Sequence, residues 1–193
     1  MKNFKHILWV ALIGTVALSS CGYNTMVEKQ EAVTSQWGNV QNAYQRRADL
    51  IPNLVATVKG YATHEQETFT QVTEARAKAT QMNISADDLS EEKIKQYQQA
   101  QGELSQALGR LLLIQENYPE LKANQNFLSL QDELAGTENR ISVERNKFNE
   151  TTQDYNQYIR KFPQVIYAGW FDFKTKAYFE ASQEAQSAPK VQF

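Results

Sequence analysis

The chain has 193 residues, 41% of them hydrophobic, enough for one domain with a sizeable core. Eight glycines and four prolines are few for an all-β fold of this length, and Gln, Glu, Ala, Leu and Lys are abundant, so the composition points to an all-α protein. A net charge of −2 offers no basic field and excludes a general nucleic-acid binder.

The opening segment, "MKNFKHILWVALIGTVALSSC", places Lys2 and Lys5 ahead of an apolar run from Ile7 to Leu18. As a helix that run spans about 18 Å, short of the roughly 30 Å hydrocarbon core, so it reads as a secretory signal rather than a stable transmembrane helix. Leu18-Ser19-Ser20-Cys21 resembles a bacterial lipobox: an apolar residue, two small residues, then cysteine. Residues 1–20 are therefore expected to be a cleaved lipoprotein signal peptide, and Cys21 the lipidated first residue of the mature chain. Cys21 is the single cysteine, so no disulfide forms within the chain. Several acyl chains on it, at about 0.8 kcal/mol per buried CH₂, make membrane anchoring durable. Loss of Lys2 and Lys5 leaves 18 basic against 22 acidic residues. The domain is expected in the bacterial cell envelope, facing away from the cytoplasm. Gly22, not Asp, follows Cys21, so the inner-membrane retention signal of some bacteria is absent and the outer membrane is favoured.

From Met26 a stripe recurs every three or four residues: Met26, Gln30, Val33, Trp37, Val40, Tyr44, Arg47, Ile51, Leu54, Val58 and Tyr61. That spacing predicts an amphipathic helix. Pro52 sits inside it, lacks an N–H and clashes with the carbonyl of Ala48, at a cost of about 3 kcal/mol. Either the helix kinks there, with the freed carbonyl finding another donor, or it ends near Arg47 and restarts with Asp49 as N-cap. A second arm is expected to about Met82 through Phe69, Val72, Arg76 and Ala79. Gly60 weakens it locally, and Thr63 with Gln66 offers a capping box.

"NISADDLS", from Asn83 to Ser90, reads as a turn rich in cap residues. A third helix follows that turn, running through Ile94, Tyr97, Gln101, Leu104, Leu108, Leu111, Gln115 and Tyr118, and Pro119 ends it, with Asn124 or Asn126 as the next cap. The fourth, Gln125 to Phe162, carries Phe127, Leu134, Ile141, Phe148, Tyr155 and Phe162 seven residues apart, the mark of left-handed, coiled-coil-like packing. Its companion row, Gln131, Glu138, Arg145 and Thr152, is polar. A helix of that length extends about 57 Å, so the fold expected is an elongated up-and-down bundle of about four helical segments. Pro163 stops the helix. The aromatic segment after it either folds back as a flap on the bundle or touches lipid headgroups or a partner. Bundle and flap span residues 21–181, and the Ser/Gln/Ala/Pro-rich residues 182–193 are expected to be disordered.

Three stretches carry a resemblance. "YNTMVEKQEAVTSQWGNVQNAYQRRADLIPNLVATVKGYATHE", "ENYPELKANQNFLSLQDELAGTENRISVERNKFNETTQDYNQYIRKFP" and "GWFDFKTKAYFEA" are similar to the conserved blocks of the LemA family of bacterial envelope proteins. The likeness runs from Tyr23 to about Ala181. It implies an all-helical, up-and-down bundle tethered to a membrane, with no known catalytic activity. It also hints at partnership with other envelope proteins, among them a membrane protease. Members of the family commonly keep an uncleaved N-terminal transmembrane helix, from which Leu18-Ser19-Ser20-Cys21 departs.

The residues themselves offer no catalytic set. His64-Glu65 begins like a zinc-protease motif, but Thr68 stands where the second histidine is needed, so neither metal nor cofactor is expected. The pairs Asp87-Asp88 and Glu91-Glu92 stand at an expected helix start, where acids favour the positive end of the dipole. The remaining candidates surround the proline and the polar row: Arg46, Arg47, Asp49 and Asn53, with Glu138, Asn139, Arg140 and Arg145. A buried charge must be paired, so one reading has Arg47 meeting Glu138 or a neighbour across the bundle to set register. The other has this face as a groove for a partner peptide or an anionic ligand, which arginine forks suit. The function expected is a lipid-anchored, non-enzymatic scaffold or adaptor for envelope proteins. The alternative is a helical bundle that binds a small ligand or lipid in a pocket at the polar seam.

Overall fold

The computed structural model describes residues 2–180, with side chains from Gly22 onward. The expected signal peptide, the lipidation of Cys21 and the expected disorder of 182–193 lie outside the described side chains and residues. The elements are α1 (Lys2–Lys59), α2 (Gln66–Gln81), α3 (Glu91–Leu113), the short α4 (Pro119–Lys122), α5 (Gln125–Arg160) and α6 (Gln164–Trp170). Single 3₁₀ turns lie at Ala86–Asp88 and Ile114–Asn117, and there is no strand among the described residues. Antiparallel neighbours make the bundle all-α and up-and-down. Lys29 pairs with Asp154, Arg47 with Glu138 and Asn124 with Tyr61, so α1 and α5 run opposite ways.

The 36 residues of α5 extend about 54 Å, further than α2 or α3 can reach. The bundle therefore has two parts. In the distal part α1, α2, α3 and α5 enclose a core of Ile51, Leu54, Val58, Phe69, Val72, Leu104, Leu108, Leu111, Phe127 and Leu134. In the proximal part α1 and α5 continue without α2. Their apolar faces are closed by Ile84, Leu89, Ile94, Tyr97 and the extended residues 173–180, which bring Phe179 against Trp37 and Phe148.

Pro52 does not break α1, which continues to Lys59. The interruption falls at Gly60–Glu65 instead, so the expected second arm is a separate helix, α2. Glycine weakens a helix by about 1 kcal/mol, and nothing here offsets that. The proline is offset: Arg76 on α2 donates its Nε to the Ala48 carbonyl at 2.7 Å, replacing the N–H that Pro52 lacks. Arg76→Met is expected to cost about 1–2 kcal/mol, since it leaves a buried carbonyl bare. With Pro52→Ala, which restores a backbone donor, the same change should cost clearly less. Additive losses in a thermal double-mutant cycle would exclude this role for Arg76.

Other expectations shift by a few residues. Tyr61 is exposed and Ala62 is buried in its place. Gln66 donates to the Thr63 carbonyl, but the N-cap of α2 is Glu65, so the capping box does not form. Pro119 ends the turn after α3 and then opens α4. Asn124 caps α5, accepting from the Phe127 N–H at 2.9 Å. Five of the six heptad residues are buried, but Phe162 is 81% exposed because α5 ends at Arg160.

Candidate functional site

Arg47 lies where the two cores meet. Along α1 it falls between Tyr44 of the proximal core and Ile51 of the distal one. On α3 the same level is Gln101 and Ser105, and on α5 it is Glu138. The guanidinium is 1% exposed yet well supplied. Nη1 donates to Ser105 Oγ at 2.8 Å and Glu138 Oε1 at 2.9 Å, and Nη2 to Gln101 Oε1 at 2.5 Å and the Gln101 carbonyl at 3.2 Å. Its face rests on the Tyr44 ring, with 5.1 Å to the centroid. Of its three nitrogens only Nε is buried without a partner. The carboxylate of Glu138 is 42% exposed, so the ion pair has a dry end and a wet end. Burial pushes the Tyr44 phenol above its usual range, against the lowering charges of Arg145 and Arg47, so it stays protonated in this layer.

The other candidates do not join Arg47. Arg46, Asn53, Asn139 and Arg140 are exposed, and Asp49 is exposed and accepts from Gln45 at 2.7 Å. Arg145 turns to the C-terminal segment, donating to the Glu180 carbonyl at 2.8 Å and lying over the Phe179 ring. The proposed face is thus one buried arginine layer, Arg145 placed between Tyr44 of that layer and the C-terminal segment, and surface charges.

Beside the arginine layer α1, α2 and α3 leave an open cleft of about 290 Å³. Tyr44, Ala48, Ala79, Met82, Tyr97 and Gln101 line it, with Gln41, Gln45 and Asn83 at its polar edge. Among the described residues no His, Cys, Asp and Glu side chains gather as a metal site. His64 is exposed in the turn before α2. Glu91 and Glu92 occupy the first turn of α3, and Asp87 and Asp88 the 3₁₀ turn ahead of it.

A second set of polar residues was missed by the sequence reasoning. Asn149 and Asn156 on α5 and Gln98 on α3 each hold both the N–H and the carbonyl of one residue in the extended segment. These are Phe179 for Asn149, Lys176 for Asn156 and Glu180 for Gln98. Tyr155 donates to the Lys174 carbonyl at 2.9 Å, and burial pushes its phenol up to about 12. Lys176 reaches the carbonyls of Ala86 and Asp87, and desolvation lowers its ammonium against the pull of Asp87 and Asp88. The seven-residue spacing of Asn149 and Asn156, in phase with the α5 heptad, was the available signal. On α5 the buried companions of the apolar row are Thr137, Glu144, Thr152 and Ile159; Gln131, Glu138 and Arg145 of the expected row are half-buried. Gln36 donates to Glu144 at 2.8 Å and holds its carboxyl below the usual range.

These features define an antiparallel helical bundle pinned by a buried arginine layer and closed by a clamped C-terminal segment. Residues 36–193 match the LemA family model, and the chain belongs to the LemA family. It is similar to magnetosome protein MamQ 2 of Paramagnetospirillum magneticum, 27% identical over 188 residues, which cover 89% of this chain and 68% of that protein. It is likewise similar to protein LemA of Metamycoplasma hominis, 26% identical over 190 residues, covering 94% of this chain and 80% of that protein.

Proposed function

We propose that the protein is a non-enzymatic scaffold of the bacterial envelope, tethered by lipid on Cys21, which works by docking other envelope proteins. The observation that carries this reading is the fate of Arg47. This candidate anion-binding group is consumed inside the bundle by Ser105, Gln101 and Glu138, where it holds helices together. What the protein offers to other molecules is its long outer faces. The lipobox-like Leu18-Ser19-Ser20-Cys21 supports the tether, with the domain away from the cytoplasm and the outer membrane as its site. A relative named for the magnetosome supports work within an assembly. A membrane protease is one partner class to be sought.

Fatty-acid-analogue labelling should mark the wild type and not Cys21→Ala. In-cell cross-linking and pull-down should then recover the same envelope proteins repeatedly, and fewer of them from Cys21→Ala. Labelling that persists in Cys21→Ala removes the lipid tether, and a wild type without reproducible partners removes the scaffold.

The open cleft at the arginine layer favours a second reading, a small-ligand or lipid-binding bundle. A stoichiometric ligand retained in native mass spectrometry of the purified protein, and lost with Gln101→Leu, would place that reading first.

A further inference from the structure

We infer that the end of the bundle formed by α6 is a membrane-contact surface, pressed on the bilayer from which the chain emerges. This rests on reading the N-terminal segment as a membrane tether. Six of the ten exposed large hydrophobic side chains among the described residues gather at this end: Tyr23, Phe162, Val165, Ile166, Trp170 and Phe171. Phe162 and Trp170 are 81% and 73% exposed, whereas such side chains ordinarily seek burial.

The place of the patch names its occupant. Tyr23, two residues after Cys21, has its ring 4.9 Å from that of Phe171 and 5.8 Å from that of Phe173. The point where the chain leaves for its tether and the aromatic patch are thus side by side. Arg160, Lys161 and Lys174 are exposed around the patch, and the neighbouring acid, Asp172, is paired with Lys174 at 3.0 Å. Aromatic side chains rimmed by cations suit the interfacial zone of a bilayer with anionic lipid. A tethered patch works at high effective concentration, so weak affinity suffices. Two attachments, tether and patch, then fix the orientation of the rod. The distal end, with the Gly60–Glu65 turn and α4, points away from the membrane toward partners.

The chain supplies its own reporter. Residues 22–193 contain two tryptophans, Trp37 sealed in the core and Trp170 exposed on the patch. The core from Met26 to Phe179 lies wholly inside that segment. The probe is a phosphatidylethanolamine/phosphatidylglycerol vesicle with brominated acyl chains, used with residues 22–193 and with the lipidated protein. Trp170 emission should be quenched and blue-shifted while Trp37 is unaffected, and a Phe162→Ser/Ile166→Ser variant should lose the quenching. Both substituted residues are exposed, so folding is spared, and circular dichroism checks it. Unquenched Trp170 in the lipidated, vesicle-bound protein overturns the inference and leaves the tether standing. A patch-dependent dimer in solution without quenching overturns it too, in favour of a second copy. Absence of lipid labelling, by contrast, defeats the tether and not the patch.

Discussion

Arg47→Ala is expected to lower the melting temperature by about 10 °C, from a loss of about 3–4 kcal/mol in a chain of this size. Three effects add. The long buried stem leaves a cavity between the two cores. The Gln101 side chain and carbonyl lose their strongest donor, and so does Ser105. Glu138 loses its partner but is part-solvated, so its share is small. For the same reason Glu138→Gln alone should cost under about 1 kcal/mol. Arg47→Met tests the other side of the balance. It fills the volume and needs no hydrogen bonds, so it should recover much of the loss and join the two cores into one. The register role appears elsewhere, in a broader unfolding transition or in loss of the Lys29–Asp154 and Asn124–Tyr61 pairings on either side of the arginine layer. A cycle of Arg47→Ala with Glu138→Ala should show coupling. Strict additivity would remove the ion pair as a pin, leaving Arg47 as volume with hydrogen bonds to α3.

The sequence disclosed most where burial and helical period coincide. Phe127, Leu134, Ile141, Phe148 and Tyr155 repeat every seven residues because one face of α5 is buried along its whole length, and the stripe from Met26 to Val58 follows for the same reason on α1. The Arg47–Glu138 meeting was legible because a charge on a buried stripe needs a partner, and the one long polar row lay on α5. What stayed hidden depends on tertiary donors. Pro52 looked like the weak point of α1 and Gly60 a lesser one. The order reverses because Arg76 arrives from α2 to serve Ala48, and nothing in the local sequence announces that contact. The clamps of Gln98, Asn149 and Asn156 were hidden for a related reason. Amides on a helix read as solvated surface until an extended chain is found lying across them.

Trp37→Ala is the substitution expected to do the greatest damage, about 3–5 kcal/mol. The indole is the hub of the proximal core. Its ring centroid lies 5.3 Å from Tyr97, 5.6 Å from Phe148 and 5.9 Å from Phe179, and its N–H donates to the Ile84 carbonyl at 2.9 Å. Here α2 is absent, so α1 and α5 are closed by the segment around Ile84 and by residues 173–180, and Trp37 touches both. Phe179 is the single buried side chain of that extended segment; its other ties are the half-buried Phe173 and Ala177 and hydrogen bonds from the amide clamps, Tyr155, Arg145 and Lys176, each worth about 1 kcal/mol net. Losing the Trp37 ring should therefore free residues 173–180 before the bundle melts. Hydrogen exchange reads this directly. The Ala177 N–H, bonded to the Leu89 carbonyl, and the Phe179 N–H, bonded to Asn149, should lose protection, while amides in the distal part of α5 keep theirs. Trp37→Phe keeps much of the ring contact and loses the hydrogen bond. Gln41 also reaches the Ile84 carbonyl, at 3.3 Å, so this variant should cost about 1–2 kcal/mol and leave the segment docked. If Trp37→Ala destabilises the chain uniformly, with both parts exchanging together, then the arginine layer does not separate the two cores and the bundle unfolds as one unit.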